Sequence, residues 1–220
     1  MTTPPPWDSG IDYHVDELEA PPAPLDVQWV IENHLKLPAE SADAGAVARY
    51  LAAATRLAQR TTTKALIDQR KILKLSGFPF GFIQIPSPPL IEIVAFDYID
   101  SDGITQSLVG SPIGYQLQQP VGGNPRPARL YPTADAGCWP TTATRTVDPV
   151  SIEFRAGYVD RAASPEVGEV PEDILEGILL TVAEMHKQRS ESIVGFGVSV
   201  NPALVRARNL WLPYGIGVYR

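Results

Sequence analysis

Residues 95–110 read AFDYIDSDGITQSLVG. Apolar and β-branched residues flank a polar centre, Asp100-Ser101-Asp102-Gly103, in which Gly103 can take a positive φ at little cost. The pattern is that of a β-hairpin. Its neighbours continue the theme. QRKILKLSGFPF and FIQIPSPPLIEIVAFDYI precede or include it, and YQLQQP, ARLYP and VSIEFRAGY follow, each broken by Gly or Pro. In VSIEFRAGY, Val150, Ile152 and Phe154 alternate with Ser151, Glu153 and Arg155, so one face is apolar and the other wet. Residues 67–165 therefore read as an antiparallel β module of about six short strands.

Helical periodicity surrounds this module. LDVQWVIENHLKLP carries Val27, Val30, Ile31, His34 and Leu35 on one face, with Asp26 placed as a cap and Pro38 as a stop. His34 beside that face reads as structural. The next helix, DAGAVARYLAAATRLAQRTTTKAL, has the stripe Val47, Tyr50, Leu51, Ala54 and Leu57, and Thr61–Thr63 mark a fraying end. Helix returns in VPEDILEGILLTVAEMHKQR, whose Ile174, Leu175, Ile178, Leu179, Val182 and Met185 form a wide apolar face. Gly177 costs about 1 kcal/mol relative to alanine there, which a close helix crossing would explain. PALVRARNLWL is a fourth, short helix closed by Pro213.

The hairpin thus belongs to a β insertion between the second and third helices. The fold class is α+β: a small helical bundle with an inserted antiparallel β module and extended termini. The divisions are a proline-rich arm at 1–24, helical parts at 25–66 and 166–212, the β module at 67–165, and a tail at 213–220. The arm's PPP and PPAP resist helix and sheet. Trp7 within it is an anchor for a neighbouring subunit or a residue packed on its own domain. Trp211, Leu212, Tyr214, Ile216, Val218, Tyr219 and Arg220 stand close together near the C-terminus, an aromatic and apolar docking element, in which Trp211 and Leu212 can instead finish the short helix against its own domain. A local strand folded back on the chain is the alternative.

Composition bounds the chemistry. The 220 residues are 44% apolar and 20% charged, with 22 prolines, 17 glycines and a net charge of -7. That balance supplies no general grip on nucleic-acid phosphates. Cys138 is the sole cysteine, so no intrachain disulfide forms, which agrees with a reducing compartment. No secretory signal and no membrane span is expected.

No reactive constellation emerges either. His14, His34 and His186 form no HxH or HExxH motif, so no metal is expected. Cys138 has no basic neighbour, no GxSxG elbow or P-loop occurs, and VGFGVSV reads as a loop. The DSDG run lacks the later ligands of a calcium loop. Carboxylates are numerous, and sequence prefers no pair of them. The reading is a chain with no catalytic residues and no cofactor. Arg56, Arg60 and Lys64 recur every four residues on a helix. A solvated face, a patch meeting an acidic partner and a DNA contact all remain open for them.

The ordered blocks resemble the head–tail connector (adaptor) proteins of tailed phages, prophages and gene transfer agents. The likeness rests on PSPPLIEIVAFDYIDSDGITQSL, GYQLQ, PARLYP, CWPTT, SIEFRAGYVD and VPEDILEGILLTVAEMHKQR in that order, and covers roughly residues 25–214. The opening helix pair matches less well, with Gln59-Arg60-Thr61-Thr62 where the family often has a TGR-like end. The resemblance implies a non-enzymatic virion subunit. Such a subunit forms a ring, commonly of twelve, beneath the portal protein and meets a stopper or tail-completion protein. DNA passes through the channel without sequence-specific binding, and docking on the portal uses C-terminal segments. Assembly in the bacterial host cytoplasm goes with this. Another virion part, a β binding module or a carboxylate-based hydrolase are the alternatives. On the adaptor reading the helical part builds the ring, the β module lies outward, and the isolated chain is monomeric.

Overall fold

The computed structural model describes residues 11–19, 22–38, 43–111, 114–120, 124–134, 137–144, 146–163, 168–188 and 202–215. The fold is α+β, and the chain divides into two units. Among the described residues, one unit holds 11–19 and Asp68–Gly157; the other holds 22–67 and 158–215.

The first unit is β. Its five-stranded sheet contains β1 (Tyr13–Glu17), β2 (Gln69–Leu75), β4 (Leu90–Ile99), β5 (Thr105–Ser107) and β8 (Val150–Ala156), in the order β1-β2-β8-β4-β5. A three-stranded sheet has the order β3 (Ile83–Gln84), β7 (Arg129–Pro132), β6 (Tyr115–Gln118). All the strand pairs are antiparallel. β8 shows the expected alternation, with Val150, Ile152, Phe154 and Ala156 buried. Its central place follows: β2 and β4 pair with its two edges, and Leu73 and Phe96 both lie opposite Ile152. The hairpin turn is built by Asp100. Its Oδ1 accepts from the Asp102 and Ile104 amides at 3.0 and 2.9 Å, and its Oδ2 from the Gln106 side-chain amide at 2.9 Å. These bonds, that of Gln106 first, hold the Asp100 carboxyl below its usual pKa. Gly103 has φ +81 there, as the turn requires.

Residues 13–17 depart from the expected arm. They pair along β2, Tyr13 opposite Leu75 and Glu17 opposite Lys71. Their sequence alternates, and a free sheet edge supplies the missing hydrogen-bond partners. Trp7 lies outside the described residues.

The second unit is helical. α1 (Val27–Trp29) runs directly into a π-helical turn, Val30–Leu35, and Asp26 caps it by accepting from the Trp29 amide at 2.8 Å. α2 spans Ala44–Thr62, α3 Glu172–Gln188 and α4 Pro202–Trp211, followed by a 3-10 turn, Leu212–Tyr214. One core joins them, including Val30, Ile31, Val47, Leu51, Ala54, Ile174, Ile178, Val182, Ala207 and Trp211. His34 is structural: its Nε2 lies 3.1 Å from the Leu179 carbonyl oxygen. Leu57, expected in the buried stripe, is exposed; Thr55, Ala58 and Thr62 are buried instead. Thr55 and Thr62 spend their hydroxyls on the carbonyls four residues back, at 2.8 Å each, so they enter the core without an orphaned polar atom.

The insertion leaves the helical unit intact because its ends lie side by side. β2 opens and β8 closes the inserted segment, and the two are paired, Gln69 opposite Ala156. Within the helical unit, the Tyr158 amide donates to the Leu66 carbonyl at 3.1 Å, and Ile67 bridges Val159.

Gly177 is the close crossing its position suggested. A Cβ there would lie 2.3 Å from Nε1 of Trp211, which is buried at 1% exposure and donates to the Ile174 carbonyl at 3.2 Å. Alanine would raise local helix propensity by about 1 kcal/mol yet overpack this contact. Gly177→Ala is expected to destabilise the chain by about 1–3 kcal/mol, and Trp211→Ala by about 3–5 kcal/mol. Denaturant unfolding measures both; a Gly177→Ala chain as stable as wild type contradicts this packing account.

Candidate docking surface

Of the tail residues, Trp211 belongs to the core. It ends the inner face of α4, on which Ala207 is also buried. Read as a docking residue from sequence, it is withdrawn from any partner by its seat on Gly177. Tyr214 is half-buried, and its hydroxyl donates to Asp173 Oδ2 at 3.0 Å, tying the turn after α4 to the start of α3. Burial, with the Asp173 carboxylate second, raises its pKa. Leu212 is exposed at 56%. Ile216, Val218, Tyr219 and Arg220 lie outside the described residues.

The structure adds residues to this surface. Leu204, Val205 and Arg208 are exposed on α4, with Leu204 and Arg208 one turn apart, and Leu212 is exposed at the start of the 3-10 turn that follows. The outer face of α4 thus carries an apolar stripe beside a guanidinium. Its sequence signal is the i, i+4 spacing of Leu204 and Arg208 within ALVRARNLWL.

The cationic row on α2 also changes. Arg56 and Arg60 are exposed, joined by Arg49 two turns before Arg56 and by the apolar Leu57. Lys64 is not part of that face. α2 ends at Thr62, Thr63 takes φ +58, and this left-handed step turns Lys64 inward to 2% exposure. Four-residue spacing holds only while the helix continues. The Lys64 ammonium lies 5.7 Å from the centre of the Tyr158 ring, and burial pushes its pKa down to about 8. Burial also raises the Tyr158 phenol, with Tyr214 adding to the shift.

Reactive chemistry does not converge on these surfaces. Among the described residues, no group of three or more His, Cys, Asp or Glu side chains is placed to hold a metal ion. Cys138 is free and exposed. Among the same residues, no helix is long and apolar enough to cross a membrane. Among the described residues, the helical unit carries two such outward surfaces on different helices, one mixing Leu204 and Val205 with Arg206 and Arg208 on α4 and one cationic on α2.

No protein-family model and no curated protein matches this sequence. Solved structures do match. One is a chain in the neck of an empty gene transfer agent particle, computed with C6 symmetry, at TM-score 0.65 and 22% identity, covering 90% of this chain and 94% of that one. A chain in the virion of a native gene transfer agent particle matches equally, at TM-score 0.65, 22% identity and the same 90% and 94% coverage. A chain in the neck of a native particle, computed with C12 symmetry, matches at TM-score 0.59 and 18% identity, again over 90% and 94%. The chain therefore has the fold of a gene transfer agent neck chain, the fold that its resemblance to connector proteins implied.

Lys64 provides a pH test of the helical unit. Between its folded pKa of about 8 and the ordinary lysine value of 10.5, the unfolded chain holds a proton that the folded chain releases. Stability contributed by this residue therefore rises with pH across that window. Tyr158, whose raised pKa acts in the opposite sense above pH 10, limits the useful range. Lys64→Met is expected to stabilise the chain at pH 7. From pH 8 to pH 10 the wild type should regain up to about 2 kcal/mol relative to the variant. Urea titrations of both chains at the two pH values measure this; parallel pH profiles contradict it.

Proposed function

We propose that this chain is a structural adaptor subunit of a head–tail neck. It forms a ring, of twelve copies on this reading, beneath a portal protein and joins the capsid to a stopper or tail-completion protein around the DNA channel. The observation that carries the proposal is the extent of the structural match: nine-tenths of this chain corresponds to nearly all of a neck chain. The order of sequence blocks points the same way independently. The chain's place is then the virion, after assembly in the host cytoplasm.

Physical features support the reading. A closed ring needs two different, complementary surfaces on each subunit, because its contacts run head to tail. The outer face of α4 and the row Arg49, Arg56, Arg60 with Leu57 are two different exposed surfaces on separate helices. The helical unit accordingly carries the ring contacts. A net charge of -7 suits a wall past which DNA slides without being gripped. It also opposes self-association, so the isolated chain is monomeric and the ring forms on the portal. Residues 216–220 leave from the turn after α4 and dock on a portal subunit or an adjacent adaptor. Ile216, Val218 and Tyr219 supply the apolar contacts and Arg220 a charge.

Two variants test this in reconstitution with portal particles. Leu204→Asp combined with Leu212→Asp places charge on an exposed face and should leave the unfolding midpoint nearly unchanged. Ring incorporation should fall at least about tenfold, since each desolvated carboxylate costs more than the leucine contact it replaces. Truncation after Gly215 should likewise preserve folding and abolish retention on the portal. Negative-stain imaging and pelleting with particles read both. Normal rings and complete particles from both variants would overturn the proposal.

A further inference from the structure

α2 bears three arginines and no Asp or Glu. Arg49, Arg56 and Arg60 recur at i, i+7 and i+11, which sets them on one line along the helix. That line lies opposite the buried face of Val47, Leu51, Ala54 and Ala58. All three arginines are exposed, and none makes an ion pair among the described residues. Ala52 and Ala53 occupy the turn between Arg49 and Arg56, exposed and small, so another helix can come close there. A row of unpaired guanidinium groups in a chain of net charge -7 fits an acidic occupant.

The helical unit itself carries the complement. Glu172 and Glu176 are exposed and one turn apart on α3, and Glu169 is exposed just before the helix. These three make no ion pair among the described residues either. The first two turns of α3, residues 172–179, contain no Lys or Arg. The positive end of the helix dipole favours acidic residues in the first turn, which accounts for Glu172 but not for Glu176. Both glutamates lie opposite Ile174, Ile178 and Val182, which α3 gives to the core. α2 and α3 pack on each other in that core. Each helix turns its charged face away from the other, so arginines and glutamates leave on opposite flanks of the unit.

We propose that the arginine row of one copy receives the α3 glutamates of the next copy, Arg56 and Arg60 against Glu172 and Glu176. The inference rests on the neck reading and assigns the surfaces that close the ring. A head-to-tail ring needs two different, mutually complementary surfaces on opposite flanks of each subunit. Both pairs repeat at one turn, about 5.4 Å, so two ion pairs form in a single register. A second copy fits better than DNA, because the matching carboxylates stand on this same chain and its net charge repels phosphate. Exposed ion pairs are individually weak. The isolated chain therefore stays monomeric, and the contact holds where the portal gathers neighbours and repeats it around the ring.

The test is reconstitution with portal particles, using two variants apart and mixed. Arg56→Glu with Arg60→Glu makes both surfaces acidic, and Glu172→Arg with Glu176→Arg makes both basic. Each variant alone should incorporate at least about tenfold less than wild type, since like charges then face each other. An equal mixture should regain wild-type incorporation, because the two chains can alternate and every contact again joins opposite charges. If either variant has a lowered unfolding midpoint, Arg56→Cys with Glu176→Cys in a Cys138→Ser chain replaces the pair. A short bismaleimide should then link neighbours into a ladder on particles and leave the free chain unlinked. Normal rings from either charge variant overturn the proposal, as does the absence of a ladder. A loss that the mixture does not restore also overturns it, since the row then meets DNA or the portal. Wild type that forms no ring overturns the neck reading too; wild-type rings beside any of these results overturn this inference alone.

Discussion

The seat of Trp211 on Gly177 holds the helical unit together. An indole can lie against a helix backbone only where no Cβ stands in the way, and one glycine in the middle of α3 provides that place. The contact buries the largest side chain of α4 and satisfies its N–H on the Ile174 carbonyl. It joins the last helix to the third across a long sequence interval. It also fixes where the chain emerges, because the 3-10 turn and the Tyr214–Asp173 bond follow directly from it.

A second constraint concerns the inserted β unit. An insertion is compatible with a helical core when the chain leaves and returns at neighbouring points. The paired ends of β2 and β8, and the Tyr158–Leu66 bond with its Ile67–Val159 bridge, meet that condition on each side of the crossing. Arg155 strengthens the β side: it donates to both carboxylate oxygens of Asp68, and to Glu92 at 2.6 Å. Asp68 opens the insertion and Arg155 nearly closes it, so this pairing clamps its two ends at low exposure.

These two constraints leave the outer surfaces free to vary. α4 turns Ala207 and Trp211 inward and Leu204, Val205 and Arg208 outward, and Leu212 in the turn that follows is exposed as well. α2 divides its faces similarly, with small residues inside and arginines outside. A chain built this way can keep its core while its exposed residues vary. That accords with a likeness to neck chains that is extensive in structure at only 22% identity.

The sequence by itself determined the features that depend on local chemistry and simple periodicity. The Asp100–Gly103 turn, the alternation of β8, the Asp26 cap and the helix–insertion–helix order follow from backbone preferences and from which face must avoid water. Gly177 was legible as a close approach, although its partner was not. Tertiary structure decided what depends on a distant neighbour. Trp211 looked like a surface anchor because it stands near the terminus, but its burial is set by a glycine on another helix. Lys64 looked like part of a cationic row because spacing assumes an unbroken helix; a left-handed Thr63 ended that helix and turned it inward. Residues 13–17 looked like a proline-rich arm because their strand partner, β2, lies more than fifty residues away. In each case the side chain's environment was settled by a contact between segments far apart in sequence, which no local pattern encodes.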